Sequence, residues 1–282
     1  MTPREPLYPN QVIPLVITAL VCAFGVAIVA GEIFLLNTFV PQTASISLVI
    51  RWPDVLVGLT IYLKTAIDFA IFMGRLMDSF RGWKNRIAIE IGSALGNILG
   101  TVLILLIWTL FKEVTLLMVA MIAIASLVLL RMAEEGLEHV KDSGNNATSL
   151  VTSAEWLERV LQSINKIFAP LLRYIIPEMK VSGDKNKSWW GLFGLAFSVP
   201  FILGLDDFAG YVPLFNIINV FGFATGVFLG HMILNIALFI SPDSTIRIVK
   251  HPVISFIGSL AFIGLAVWGL YEGYHLLATL WH

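Results

Sequence analysis

The chain has 282 residues, of which 57% are hydrophobic and only 13% are charged, and its formal net charge is −1. This composition, with a mean hydropathy of +0.85, excludes an ordinary soluble domain, and the near-neutral charge gives no support to a nucleic-acid partner. The single cysteine, Cys22, excludes an intrachain disulfide and a CxxC metal site. We therefore expect a polytopic membrane protein surrounded by lipid.

Seven apolar runs are long enough to cross a bilayer as helices, which takes roughly 20 residues. The sequence therefore predicts an all-α membrane protein with seven transmembrane helices, at residues 12–38, 54–75, 87–111, 114–132, 189–213, 218–240 and 252–277. Fifteen of the 18 Lys and Arg residues fall on the side of the N-terminus, whereas only Arg51 and Lys112 lie in the opposite loops. Because short cytoplasmic loops are enriched in Lys and Arg, we expect a multi-pass protein of the cell (inner or plasma) membrane, with a cytoplasmic N-terminus and an external C-terminus.

The one long polar segment, residues 133–188, separates the fourth and fifth runs. Its middle part, from Leu157 to Ile175, has apolar residues at helical spacing, with Arg159 and Lys166 on other faces. The pattern predicts a basic amphipathic helix. Such a helix lies along the membrane surface, packs on its own bundle, or joins two copies in a homodimer, and these alternatives stay open.

Three pairs of short motifs recur in the same order in the two halves of the chain. The first pair is Asp68-Phe69-Ala70 and Asp207-Phe208-Ala209. The next predicted helices share two glycines followed by a polar residue, at Gly92, Gly96 and Asn97 and at Gly226, Gly230 and His231. The third helices end with Glu135-Gly136 and Glu272-Gly273. The order of these matches predicts an internal duplication.

Since each copy contains three spans, an odd number, the second copy must insert upside down relative to the first. The predicted fold is therefore an inverted repeat of helices 2–4 and 5–7 with an extra N-terminal helix. The corresponding division is residues 1–53 for the N-terminal tail and first helix, 54–140 for the first repeat, 141–187 for a cytoplasmic linker with the amphipathic helix, and 188–282 for the second repeat.

Aspartates inside two predicted spans are the first candidates for a functional site, because a carboxylate in lipid usually lines an ion or proton path. Asp68 and Asp207 are predicted to bind a hard divalent cation, which prefers several oxygen ligands. Adjacent helical residues point about 100° apart, so Asp206 shares a cavity with Asp207 only if the helix breaks. A break is expected there because of Pro200, Gly204 and Gly210.

Other polar residues are secondary candidates. Asn97 and His231 occupy matching repeat positions and either complete the cation site, relay a proton or hydrogen-bond between helices. Lys64 precedes Asp68 by one helical turn, a spacing that allows a structural ion pair or an internal counter-ion that a cation displaces. Three glutamates near predicted helix ends either form vestibules of the site or are interfacial, solvated carboxylates, and the second is expected: Glu32, Glu90 and Glu272.

In position and residue type, Ile67-Asp68-Phe69 and Leu205-Asp206-Asp207-Phe208 resemble the acidic motifs that begin the three-helix repeats of the LysE superfamily of membrane exporters. This group includes the cadmium-resistance, TerC-like and manganese or calcium exporter families. The resemblance covers residues from about 54 to 277. It implies an exporter of a metal or other cation driven by proton exchange, with Asp68 and Asp207 as site residues.

We therefore expect a secondary-active, proton-coupled exporter of a cation, expected to be a divalent metal, that works by alternating access. The expected partners are lipid, the metal cation and protons, and no cofactor other than the transported cation is expected. Two alternatives stay open: a structural or assembly subunit of a membrane complex, and an exporter of a small organic solute such as an amino acid. An enzyme is not expected, because the sequence has no GxSxG or HExxH motif.

Overall fold

A computed structural model describes residues 12–39, 45–80, 82–142, 148–175, 188–216, 218–249 and 251–280. Within these ranges many side chains lie outside the described part, among them those of residues 171–175 and 202–211, which include Asp206 and Asp207, and that of Asp68. The predicted N-terminal tail and the two ends of the predicted linker also fall largely outside it. The described residues form helices and contain no strand, which confirms the all-α prediction.

Ten α-helices are present in the described ranges. They are α1 (Ile13–Asn37), α2 (Trp52–Thr65), α3 (Ile67–Ser79), α4 (Trp83–Phe111), α5 (Thr115–Asp142), α6 (Thr148–Ile175), α7 (Trp189–Tyr211), α8 (Val220–Ile240), α9 (Pro242–Val249) and α10 (Pro252–Leu280). A 3₁₀ segment, Val212–Asn216, follows α7 directly. The seven predicted apolar runs coincide with α1, the pair α2 and α3, α4, α5, α7, α8 and α10.

Five of the described helices are long and apolar enough to cross a membrane alone: α1, α4, α5, α8 and α10. The pair α2 and α3 passes the same test only as one broken span, whose segments are inclined by 66°. The described apolar part of α7, Trp189–Phe201, is shorter than a full span. The chain is thus a multi-pass helical membrane protein.

The second predicted span is not one continuous helix. α2 ends at Thr65 and α3 begins at Ile67, and Ala66 between them leaves helical geometry with ψ of 22°. The Tyr62 carbonyl accepts the regular helical bond from the Ala66 amide at 2.9 Å and also a bond from the Thr65 hydroxyl at 3.1 Å. The regular bonding of α2 thus continues up to Ala66, where the chain turns into α3.

The break expected in the fifth span is absent from the described backbone. α7 runs without interruption from Trp189 to Tyr211 and includes Pro200. Proline removes one backbone donor, but membrane helices tolerate it where neighbouring groups satisfy the freed carbonyl. The expectation that Pro200, Gly204 and Gly210 break this helix was therefore wrong.

The helices divide into two compact units. In the first unit, α2 packs along α8, and α1 and α3 also contact α8. Glycines allow the backbones of α2 and α8 to touch: a Cβ atom on Gly226 would overlap the carbonyl oxygen of Val55 and the amide nitrogen of Leu59. The small-residue positions singled out in the sequence thus mark a close helix crossing, as expected for membrane helices.

A second close crossing in the first unit joins α4 to α7. A Cβ on Gly92 would overlap the carbonyl oxygen of Phe193 and come within 3.2 Å of the amide nitrogen of Phe197. One turn later, a Cβ on Gly96 would overlap the carbonyl oxygen of Phe197. Gly92 and Gly96 therefore play the packing role on α4 that Gly226 plays on α8.

In the second unit, α5 packs along α10 and against α6. A Cβ on Gly136 of α5 would overlap the Ser259 hydroxyl of α10, and a Cβ on Gly273 of α10 would lie 3.7 Å from Ile122 of α5. Because residue numbers rise on one helix as they fall on the other, these contacts make α5 and α10 an antiparallel pair.

α6 confirms the prediction of an amphipathic helix and answers part of the question about its packing. Ala154, Leu161 and Asn165 are buried, and Asn165 hydrogen-bonds to α5. The opposite face exposes Trp156 and Ile167, at 65% and 73% of their surface. One face of α6 therefore packs on its own bundle, while the placement of the other face on lipid or on a second copy stays a prediction.

Candidate functional site

A buried polar network joins α2 to α8 in the first unit. The Tyr62 phenol oxygen lies 2.7 Å from His231 Nδ1, and Asn235 Nδ2 lies 3.1 Å from His231 Nε2. Tyr62 is 5% exposed, His231 1% and Asn235 0%. The three side chains thus form a continuous chain of hydrogen bonds that is closed to solvent.

With the Asn235 amide oriented as in the structure, the partners of His231 are consistent with one tautomer of the neutral ring. An amide nitrogen such as Asn235 Nδ2 only donates, so Nε2 accepts. A neutral ring then carries its proton on Nδ1 and donates it to the Tyr62 oxygen. The carbonyl oxygen of Asn235 is buried and has no hydrogen-bond partner among the described residues. It is therefore an acceptor inside the network that remains open to a donor or a cation.

The network lies directly at the break between α2 and α3. Tyr62 precedes Ala66 by one turn, and its ring packs edge-on against His231 at 5.8 Å. Phe69, on the α3 side of the break, places its ring centroid 5.3 Å from that of His231. One histidine of α8 therefore contacts both segments of the broken span.

Glycine next to the histidine makes this contact possible. A Cβ on Gly230 would come within 2.8 Å of the Tyr62 ring, so a larger residue would displace the ring whose hydroxyl reaches His231. The Gly230-His231 pair identified in the sequence therefore acts as one unit: the glycine admits the tyrosine, and the histidine binds it.

Asn97 occupies the matching position of the predicted repeat on α4, one residue after Gly96. It is 2% exposed, and its Nδ2 has no hydrogen-bond partner among the described residues. Its backbone carbonyl accepts a bond from Thr101 Oγ1 at 2.8 Å. Like His231, Asn97 is thus a buried polar residue beside a close helix crossing. It is not among the described contacts of His231, which are Tyr62, Phe69 and Asn235.

Glu90 was expected to be solvated, and this expectation was wrong. The residue is fully buried, because α1 lies against this part of α4 and the Thr18 hydroxyl donates to Glu90 Oε2. The other oxygen, Oε1, has no hydrogen-bond partner among the described residues. Glu32 and Glu272 are half-buried, and both carboxylate oxygens of Glu32 are shielded.

The predicted aspartates can be placed only by their backbone. Asp68 is the second residue of α3, just after the break, and Asp206 and Asp207 lie near the end of α7. Their side chains lie outside the described residues. Lys64 lies in the last turn of α2 on the other side of the break, so the one-turn spacing of a continuous helix does not apply to Lys64 and Asp68. The roles of all four residues stay predictions.

Within the described residues, no group of three or more His, Cys, Asp or Glu side chains is arranged to hold a metal ion. Both ring nitrogens of His231 are hydrogen-bonded, so this histidine would have to release Tyr62 or Asn235 to coordinate a metal. A cation at this site would instead meet oxygen ligands, such as the open carbonyl of Asn235, which suit hard cations.

Sequence reasoning found His231 but missed Tyr62, Phe69 and Asn235. Asn235 follows His231 by four residues, the spacing that places two side chains on one helix face, and this signal was available. The contacts of Tyr62 and Phe69 with His231 could not be predicted, because they depend on which helices cross.

No protein-family model matches the chain, and no significant match is found among curated proteins or among solved structures. The resemblance to the LysE superfamily stays a prediction from the acidic motifs.

Proposed function

We propose that this chain is a secondary-active exporter of a cation, a divalent metal in the simplest case, coupled to protons and working by alternating access. The observation that supports the proposal most is the broken span: α2 and α3 part at Ala66, and both segments contact His231 in a buried polar network. Non-helical backbone inside a membrane is tolerated where it is buried in protein or lines a polar cavity, and transporters bind their substrates at such breaks.

In this proposal Asp68 supplies charge at the break. It lies in the first turn of α3, where the helix dipole favours a negative group, and it directly precedes Phe69, which packs on His231. Asp68 and Asp207 exchange protons for the cation, Asp206 is a further ligand, and Lys64 is the counter-ion that the cation displaces. His231 and Asn97 provide polar, uncharged surroundings.

The proposal includes an inverted repeat, which matched glycine contacts support. On α8, Gly226 faces a carbonyl oxygen and an amide nitrogen four residues apart on α2. On α4, Gly92 faces the same two kinds of atom, also four residues apart, on α7. When the two predicted copies are exchanged, α8 takes the place of α4 and α2 takes the place of α7. The crossing at Gly226 then becomes the crossing at Gly92.

The antiparallel pair of α5 and α10 supports the same repeat. Gly136 and Gly273 are 137 residues apart in the sequence, and so are Ile122 and Ser259. The contact of Gly136 with Ser259 therefore becomes the contact of Gly273 with Ile122 when the two copies are exchanged. Such reciprocal contacts are typical of elements related by a twofold axis.

The test is flux through the purified protein in proteoliposomes with an imposed pH gradient, for Mn²⁺, Ca²⁺, Cd²⁺, Zn²⁺ and Mg²⁺ in turn. We expect proton-driven flux of at least one cation, lost in Asp68→Asn and in Asp207→Asn. Glu113→Gln, which changes an exposed carboxylate between α4 and α5, is the matched control and should transport normally. No flux of any cation, or normal flux in both aspartate variants, would exclude the proposal.

A structural or assembly subunit is the second candidate, and the saturated bonding of His231 favours it. Both ring nitrogens hold neighbouring groups, as expected for a residue whose role is to fix helices together. The same proteoliposomes distinguish the two candidates, since a subunit would carry no flux alone and would copurify with partners at fixed stoichiometry. Flux of an amino acid but of no metal would instead indicate the organic-solute exporter.

A further inference from the structure

A polar cavity of about 500 Å³ lies between α5 and α6 in the second unit. Glu134 and Glu138, one turn apart on α5, line one wall, and Gln162 and Asn165 of α6 line the other. None of its lining residues belongs to the His231 network, and none has a role in the proposed export mechanism.

Asn165 presents a buried acceptor that no described donor reaches. The residue is 7% exposed, and its Nδ2 donates to the Glu134 carboxylate and, at 3.4 Å, to the carbonyl of Leu130. Its Oδ1 is buried and has no partner among the described residues. A buried acceptor without a donor is costly, so this oxygen calls for an N–H or O–H group.

The side chains that line the cavity offer more hydrogen-bond acceptors than free donors. Arg131 is engaged by Glu135 at 3.2 Å, and Gln162 donates to Glu158 at 3.1 Å, which leaves its own carbonyl oxygen as an acceptor. Glu138 is exposed and makes no ion pair with any described residue. Lys166 is the remaining cation of the lining. Carboxylates and amide oxygens therefore outnumber the available donors.

The volume of the cavity suits an organic cation. A water-sized ion fills roughly 30 Å³, whereas pockets for organic ligands measure roughly 300–1,000 Å³. The described residues offer no group of three or more side chains placed to hold a metal. We propose that the cavity between α5 and α6 binds a small organic cation with several N–H donors, of the polyamine class.

The ligand's ammonium groups lie between Glu134 and Glu138, and one N–H reaches Asn165 Oδ1. The experiment is calorimetric titration of the purified full-length protein with spermidine, the probe. We expect saturable binding at one site per chain. Glu138→Gln and Asn165→Leu should each weaken the binding at least about tenfold, since each removes one charge-assisted or buried hydrogen bond.

Glu155→Gln is the matched control, because Glu155 lies on the same helix but pairs with Arg159 outside the cavity, and it should bind spermidine as the parent does. Glu138 is exposed, so its variant is expected to fold even if Asn165→Leu does not. No saturable binding, or equal weakening by all three variants, would overturn the proposal. Displacement of spermidine by equimolar Mg²⁺ would also overturn it, because the site would then belong to a metal ion.

Discussion

Tyr62 and His231 link α2 to α8 through a 2.7 Å hydrogen bond between two almost fully buried side chains. The bond lies at the end of α2, one turn before the span breaks at Ala66. Because the α3 side of the break also rests on His231 through Phe69, the histidine holds both segments of the broken span against α8.

The first prediction concerns this bond. Tyr62→Phe keeps the ring but leaves His231 Nδ1 buried without a partner. We therefore expect the free energy of unfolding to fall by about 1–2 kcal/mol. The average hydrogen bond between membrane helices, about 0.6 kcal/mol, sets the lower end of the expected loss. Thermal unfolding in detergent measures it. Tyr271→Phe on α10, where the side chain is 60% exposed, should have no effect, and equal stability of the two variants would contradict the assignment.

The helices were predictable because long apolar runs are typical of helices in a chain of this composition. All seven runs coincide with helices, and even the amphipathic pattern from Leu157 onward falls on α6. The position of the break was not predictable from glycine and proline. Glycine and proline predicted a break in α7, which continues through Pro200, whereas the break lies at Ala66, next to neither residue type.

The candidate site was only partly predictable, for a different reason. His231 was identified because an ionisable side chain is rare in an apolar helix. Tyr62 gained significance only from the crossing of α2 and α8. Glu90 was expected near solvent because it lies close to the start of a helix, but α1 covers it. Sequence position along one helix does not reveal what a neighbouring helix covers.

The second prediction compares two helical glycines. A Cβ on Gly226 would overlap the backbone of α2, which cannot move aside like a flexible side chain, while Gly264 on α10 has nothing within 4 Å. Gly226→Ala should therefore lower the free energy of unfolding by about 1–3 kcal/mol through overpacking. Gly264→Ala should be neutral or stabilise by up to about 1 kcal/mol, since alanine favours a helix. Chemical denaturation of both variants in the same detergent checks the opposite signs.

The third prediction tests whether α7 crosses the membrane, because its described apolar part is short. Single cysteines are placed at Glu113 and His251, both exposed beside helix ends, in a Cys22→Ser background. With seven spans, a membrane-impermeant maleimide labels Glu113→Cys in intact cells but labels His251→Cys only after permeabilisation. Labelling of His251→Cys in intact cells would mean that α7 does not span and that the C-terminus is cytoplasmic.

The last prediction concerns the reciprocal contacts of α5 and α10. The two contacts join matching sequence positions, but the helices approach each other more closely at Gly136 than at Gly273. A Cβ on Gly136 would overlap the Ser259 hydroxyl, whereas a Cβ on Gly273 would meet Ile122 at an ordinary 3.7 Å. Gly136→Ala should therefore destabilise by about 1–3 kcal/mol, and Gly273→Ala should be tolerated. Ser259→Ala removes the overlapping oxygen, so the double variant with Gly136→Ala should recover part of the loss, with a coupling of about 0.5–3 kcal/mol in a double-mutant cycle. Additive losses would mean that the helices separate at this point, and the matched contacts would then no longer support a twofold relation between the two predicted copies.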